Sequence, residues 1–278
     1  MTITKEKILE FREFLESCEK SAATVEKYLR DVRMLSEWLG DETLSKPKVL
    51  EYKEHLKQNY ATTSVNSVIS SLNSFFDFAQ VPNLSIKTVR MQKQLFLKSE
   101  KELTKQEYTR LIRAAKKKGN ERLNLVMQTI CSCGIRVSEL SAVTIEAVQR
   151  ETAEIRSKGK VRQVFLPKTL CKALIKYANK RKIQQGPVFV TRSGRPLNRS
   201  NIWADMKKLC EIAQVAKEKV FPHNLRHLFA RTFYSIQKDI VRLADILGHS
   251  SVNTTRIYTM ETGEIHRKKI QMLGLLRC

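Results

Sequence analysis

Residues 221–258 read FPHNLRHLFARTFYSIQKDIVRLADILGHSSVNTTRIY. The stretch sets His223 three residues before Arg226, so on a helix the two project to one side. His227 follows at once, a Gly-His turn stands at Gly248 and His249, and Tyr258 lies nine residues beyond that turn. Imidazole and guanidinium groups donate hydrogen bonds to phosphate oxygens, and arginine does so with two parallel N–H groups. A phenol beside them can attack the phosphorus they hold. Phe229, Phe233 and Ile236 read as core. Tyr234 is a second tyrosine in reach, but its Phe-rich helical setting makes it structural, and His227 reads as a packing or supporting residue.

If this stretch handles a phosphodiester, the remaining chain must supply more cations and a basic surface. It has both. The 278 residues carry 51 Lys plus Arg against 28 Asp plus Glu, a net charge of +23 spread along the whole length. That excess points to a polyanionic partner. The length suits two domains. No apolar run approaches the ~20 residues that cross a bilayer, and the start, MTITKEKILEF, breaks its apolar positions with charges, unlike a secretory signal. A cytoplasmic location is expected. The six cysteines (18, 131, 133, 171, 210 and 278) are scattered and lack zinc spacing, so they read as reduced thiols, not a metal site.

Before residue 85, four amphipathic helices are predicted. Their apolar stripes run through Ile8, Phe11, Phe14 and Leu15; through Val25, Leu29, Val32 and Leu35; through Val49, Leu50 and Leu56; and through Val65, Ile69, Leu72, Phe75 and Phe76. Ser21, Ser45 with Pro47, and Thr62 or Thr63 mark helix starts. Short loops make this a small bundle. From 81 to 102 the period is lost while lysines accumulate, as in a basic tether between two basic domains that together clamp a duplex. Thr104 with Glu107 is a capping box that opens the second domain. The expected division is a helical bundle over 1–84, a basic linker over 85–102 and a second domain over 103–278.

Helices are predicted at 105–117 and 121–132, the latter broken by Gly134. Arg136 then opens a new turn, with Glu139 three residues on and on the same face. After Glu151 the period shifts towards two. Segments 153–156, 162–166 and 188–191 read as three short strands, the first two joined through Ser157-Lys158-Gly159-Lys160. A helix over 168–183, another capped by Ser200, and a closing amphipathic helix over 264–276 complete the pattern.

HNLRHLFA resembles the His-x-x-Arg-His box of the tyrosine recombinases, the phage-integrase family. LADILGHSSVNTTRIY resembles that family's closing box, and CGIRVSEL at 133–140 resembles its first arginine box. The boxes stand in the family's order, and the part before residue 85 resembles the family's SAM-like core-binding domain. The resemblance implies a mainly α protein: a helical core-binding bundle followed by an α+β catalytic domain with a small three-stranded antiparallel sheet. It implies Arg136, Lys158, His223, Arg226 and His249 as catalytic residues, Tyr258 as nucleophile and Glu139 as their support. Lys158 precedes the turn glycine and lets Arg162 align with the family's usual arginine. The turn is one residue shorter than the common pattern, so Lys160 stays beside it as the alternative general acid.

The reaction so implied is DNA cutting and rejoining through a 3′-phosphotyrosyl intermediate, with no cofactor. Double-stranded DNA is the partner, bound by a homotetramer or paired recombinase across two sites. Integration and excision of a mobile element is the expected setting. Chromosome-dimer resolution, DNA inversion, a type IB topoisomerase-like activity and a catalytically silent DNA-binding protein are the alternatives. The bundle begins almost at residue 4, which points to a simple recombinase without an arm-binding domain. The closing helix is expected to dock on a neighbouring subunit.

Overall fold

A computed structural model describes residues 2–90, 101–157, 159–191, 193–259 and 270–273. The chain divides into two compact units, Met1–Lys93 and Gln94–Cys278.

The first unit is the predicted bundle: α1 (Lys5–Ser17), α2 (Ala22–Leu39), α3 (Lys46–Asn59) and α4 (Thr62–Phe78). Thr4 and Ser21 cap α1 and α2, accepting from the backbone N–H of Lys7 and Thr24. Ser45 makes no capping bond, and Pro47 in the first turn of α3 supplies the start instead. The apolar stripes meet in one core, in which Phe11 packs edge-on against Phe75 at 5.2 Å. Asp31 is buried in this unit and accepts from Lys27 and Ser71, so its charge is compensated.

The lost period after residue 81 marks an extended segment that the bundle holds by side chains. Asn73 donates to the Ile86 carbonyl and accepts from the Ile86 N–H, at 2.9 and 3.0 Å. Asn66 does the same for Val89, at 2.9 and 2.7 Å. Lys53 donates to the Lys87 carbonyl, and Ile86 is buried in the core. Two asparagines seven residues apart thus replace a strand partner for backbone that would otherwise lack one.

The second unit begins with the capping box: Thr104 accepts from the Glu107 N–H and Glu107 from the Thr104 N–H. Then come α5 (Lys105–Lys117), α6 (Glu121–Cys133), a 3₁₀ turn (Val137–Ala142), α7 (Ile145–Gln149), β1 (Thr152–Ser157), β2 (Lys160–Phe165) and α8 (Lys168–Lys180). They are followed by α9 (Arg199–Lys207), α10 (Cys210–Ala213), α11 (Pro222–Gln237), α12 (Ile240–Leu247), α13 (Val252–Thr255) and a 3₁₀ turn (Arg256–Tyr258). Asn198, not Ser200, caps α9. The core is shared by α5, α6, α8, α9, α11 and the inner face of the hairpin.

Among the described residues the sheet has two strands, not three. β1 and β2 pair antiparallel from Thr152↔Phe165 to Ser157↔Lys160. The third predicted strand, 188–191, makes only isolated bridges, Thr144↔Pro187 and Val190↔Pro196. Val188 and Phe189 are buried, which explains their β-like composition. The prolines at 187 and 196 bring no N–H to a ladder, so pairing stops there. Of the predicted closing helix, only residues 270–273 are described; the rest lies outside the described residues.

Candidate active site

The site is built on two glycine turns. Gly134, at φ +64°, ends α6 in the left-handed conformation. A side chain there would also lie 2.4 Å from Phe229 of α11, so the glycine lets the two helices close up. Arg136 follows in extended backbone. Gly248, again at φ +64°, ends α12, and the His249 N–H reaches back to the Ala244 carbonyl at 3.0 Å. This is a left-handed helix stop, and it delivers His249 at a fixed angle.

Between the turns lies Arg226, 1% exposed. It donates to the Gly134 carbonyl at 2.8 Å and to the Leu247 carbonyl at 2.6 Å, so one guanidinium ties both turns together. Its Nη2 is 3.2 Å from His249 Nε2. His249 Nδ1 is 2.8 Å from the hydroxyl of buried Thr255. Arg226 Nε is buried without a partner, an open donor in the cluster.

Glu139 anchors the cations. Its carboxylate accepts from the Arg136 backbone N–H at 2.7 Å and the Arg136 guanidinium at 2.8 Å. Arg162 grips it with both terminal nitrogens, at 3.0 and 2.8 Å. Arg226 stands 3.8 Å away. Burial alone would raise the carboxyl, but hydrogen bonds from Arg162 and Arg136 outweigh it and hold Glu139 below the usual carboxylate range. Three guanidiniums face one carboxylate, so the cluster keeps surplus positive charge. Such a site suits one further anion.

Tyr258 lies in the same pocket of the same chain. It is buried and packs with Ala230, Leu243 and Leu247. The His227 ring meets it edge-on at 5.0 Å, and the His249 ring lies nearly parallel at 6.3 Å. Burial raises the phenol pKa, against the pull of Arg226 and Arg136. The nucleophile therefore rests as a neutral phenol. Burial, and after it neighbouring charge, lowers His227 and His249 to about 4, so both imidazoles are neutral at pH 7. The His223 ring packs against the His227 ring, with centroids 4.4 Å apart, and the partial loss of solvent there, then Arg226, lowers its pKa.

Arg136, Glu139, His223, Arg226, His249 and Tyr258 are thus brought together. Lys158 lies outside the described residues; Lys160, the alternative, is exposed on β2. Tyr234 packs beside the apolar cluster that holds Tyr258. Thr255 and the grip of Arg162 on Glu139 carried no role in the sequence reading. A polar residue between the Gly-His turn and the tyrosine was the available signal for Thr255. His227 also does more than fill space, since its Nε2 is buried without a partner next to the phenol.

A cationic cradle beside a buried phenol can hold a phosphodiester and exchange one ester oxygen for another. That makes the chain a transesterase in type, carried on a helical two-unit scaffold. Comparison with known proteins agrees. The phage integrase family model matches residues 101–264, and the phage integrase N-terminal SAM-like domain matches residues 8–81. The chain belongs to the phage integrase family, the tyrosine recombinases. It is 31% identical to tyrosine recombinase XerA of Thermococcus kodakarensis, over 98% of this chain and 96% of the relative. It is 28% identical to tyrosine recombinase XerD of Proteus mirabilis, over 86% of this chain and 83% of that one. The crystal structure of XerA recombinase matches at a TM-score of 0.53 and 26% identity, covering 99% of this chain and 100% of that chain. XerH bound to its difH substrate shares the fold, with a TM-score of 0.70 at 20% identity over 95% of this chain and 89% of that chain.

Proposed function

We propose that this protein cuts and rejoins double-stranded DNA at specific sites through a 3′-phosphotyrosyl intermediate. The observation that carries this reading is the placement of Tyr258 against the Arg226–His249 pair of its own chain. Tyr258 Oη attacks the scissile phosphorus while the bond to the 5′-oxygen breaks. Arg136, Arg226 and His223 hold the non-bridging oxygens and stabilise the charge that grows on them, with His249 set against the Arg226 guanidinium. Glu139 keeps the guanidiniums in place. Lys158 of the hairpin gives the departing 5′-oxygen its proton, with Lys160 as the alternative. The phosphotyrosyl bond stores the energy of the cleaved ester, so rejoining consumes no ATP.

The net charge of +23 supports binding to a duplex, and the division of the chain into two units, Met1–Lys93 and Gln94–Cys278, suits a clamp. The domain division at 1–84, 85–102 and 103–278 stands as a proposal with one adjustment: the fixed part of the first unit extends to Val89. The relatives are named tyrosine recombinases, and the lambda integrase tetramer bound to a Holliday junction shares the fold, which supports action as an assembly of protomers on two DNA sites. Integration or excision of a mobile element is the setting proposed, acting within the cytoplasm. The test is a nicked suicide duplex carrying the target site. A covalent protein–DNA band that disappears with Tyr258→Phe supports the reading. Relaxation of plasmids lacking any target site, at the same rate as plasmids bearing one, would replace it with a topoisomerase.

A further inference from the structure

Arg162 is the one residue of β2 whose side chain reaches the cationic cluster. It is 13% exposed by side chain, although β2 is a surface strand. Its two terminal nitrogens take both oxygens of Glu139, and its Nε donates to the Ile246 carbonyl at 3.2 Å. The contact is tight on the far side as well. A Cβ at Gly248 would stand 2.8 Å from Arg162 Cδ and 2.9 Å from its Nη1. Gly248 therefore serves two needs: the left-handed turn that delivers His249, and the passage of this side chain. Among the described residues, every side-chain hydrogen bond from the hairpin to the cluster comes from Arg162.

Glu139 does not depend on Arg162 to hold Arg136, which bonds it separately through backbone and side chain. The hairpin, whose inner face packs through Ala153, Ile155 and Val164, has no second side-chain hydrogen bond to the cluster among the described residues. A planar fork bound at both ends and at Nε fixes an orientation that a lysine ammonium cannot.

We propose that Arg162 is a positioning residue that sets the β1–β2 hairpin against Glu139 and the Gly248 turn, so that the hairpin lysine meets the leaving 5′-oxygen. The proposal rests on the hairpin-acid reading given above. In the step concerned, Tyr258 Oη bonds to phosphorus and its proton passes to a neutral imidazole of the cluster. The bond from phosphorus to the 5′-oxygen breaks, and that oxygen takes a proton from the lysine ammonium. Misplacing the hairpin starves only the last transfer.

The test compares single-turnover cleavage of a normal duplex with that of a duplex bearing a 5′-bridging sulfur, whose thiolate leaves without a proton. Arg162→Lys and Arg162→Ala are measured beside Lys158→Ala and Lys160→Ala. General acid catalysis is worth about 10²–10⁴-fold. We expect the Arg162 variants to lose a large part of that factor on the oxygen substrate and to regain most of it on the sulfur substrate, with unchanged DNA affinity. Sulfur rescue of a lysine variant but not of the Arg162 variants would overturn the proposal and leave the acid assignment standing. Failure of sulfur to rescue either lysine variant would overturn both. Should Arg162→Ala melt early, Arg162→Lys decides. Equal slowing of Arg162→Lys on the two substrates makes Arg162 a structural residue only.

Discussion

His249 Nε2 sits 3.2 Å from the Arg226 guanidinium. A guanidinium only donates, so this nitrogen carries the lone pair and Nδ1 carries the proton towards Thr255. Burial, and after it Arg226, keeps this imidazole neutral before any phosphate arrives. His227 is kept neutral by burial in the same pocket. Both fold with pKa values near 4 against 6.5 in the unfolded chain. As pH falls from about 6.5 to about 4, the unfolded chain takes up protons that the folded one refuses, so stability is lost across that window. Urea melts of the DNA-free protein at pH 7 and pH 5 should show the loss. His227→Phe should narrow the difference. An identical pH difference in wild type and variant counts against this coupling.

Arg226 bridges two backbone carbonyls that, among the described residues, no other side chain reaches. Arg226→Ala leaves the Gly134 and Leu247 carbonyls unpaired and removes a phosphate donor. Loss of one such donor costs about 3 kcal/mol of transition-state stabilisation, or roughly 10²-fold in rate. Cleavage should fall by at least that factor, and the melting temperature should fall with it. Single-turnover rates near wild type would remove Arg226 from the site.

Tyr258→Phe keeps the edge-on contact with His227 and loses only the oxygen. Covalent adduct should vanish, while gel-shift affinity for the same duplex stays within about twofold. Tyr234→Phe should still form adduct, since that ring belongs to the apolar packing around Tyr258. The reverse result would reassign the nucleophile.

The sequence made the four helices of the bundle, the Ser21 cap and the Thr104–Glu107 capping box legible, and it placed six candidate residues that the fold brings together, because each rests on local spacing; Ser45 makes no capping bond, and Ala61, not Thr62 or Thr63, stands at the start of α4. The third strand was misread because 188–191 is apolar for burial between prolines, and composition does not separate a buried extended segment from a paired one. The Asn66 and Asn73 grips and the Arg162 fork were not assigned roles. Each joins residues whose separation in the chain follows no periodicity, 13 and 23 residues in these cases.

Gly134→Ala should be costly for two independent reasons. The backbone at φ +64° disfavours any Cβ, and that Cβ would overlap the Phe229 ring at 2.4 Å. Glycine-to-alanine at positive φ costs more than about 1 kcal/mol. Relief requires α11 to shift, and Arg226 and His223 shift with it. The variant should melt lower and cleave more slowly, and Gly134→Ala with Phe229→Ala should recover part of the stability. No recovery in the double variant would mean that backbone strain alone sets the cost.

The asparagine grips on residues 86 and 89 make a prediction about where the first unit ends. Each asparagine satisfies one N–H and one carbonyl of an extended segment that has no strand beside it. Replacing both with alanine strands four backbone groups, and Ile86 can leave the core only at the loss of its burial. The single variants should each cost about 1–2 kcal/mol, as two neutral hydrogen bonds do. In Asn66→Ala with Asn73→Ala the segment should open locally without unfolding α1 to α4. Limited trypsin digestion reads this directly, because Lys87 lies between the two gripped residues and Arg90 just beyond them. Wild type should resist cleavage at Lys87, and the double variant should be cut there early while retaining its helical signal. Equal resistance of the two proteins would show that the packing of Ile86 holds the segment without the asparagines.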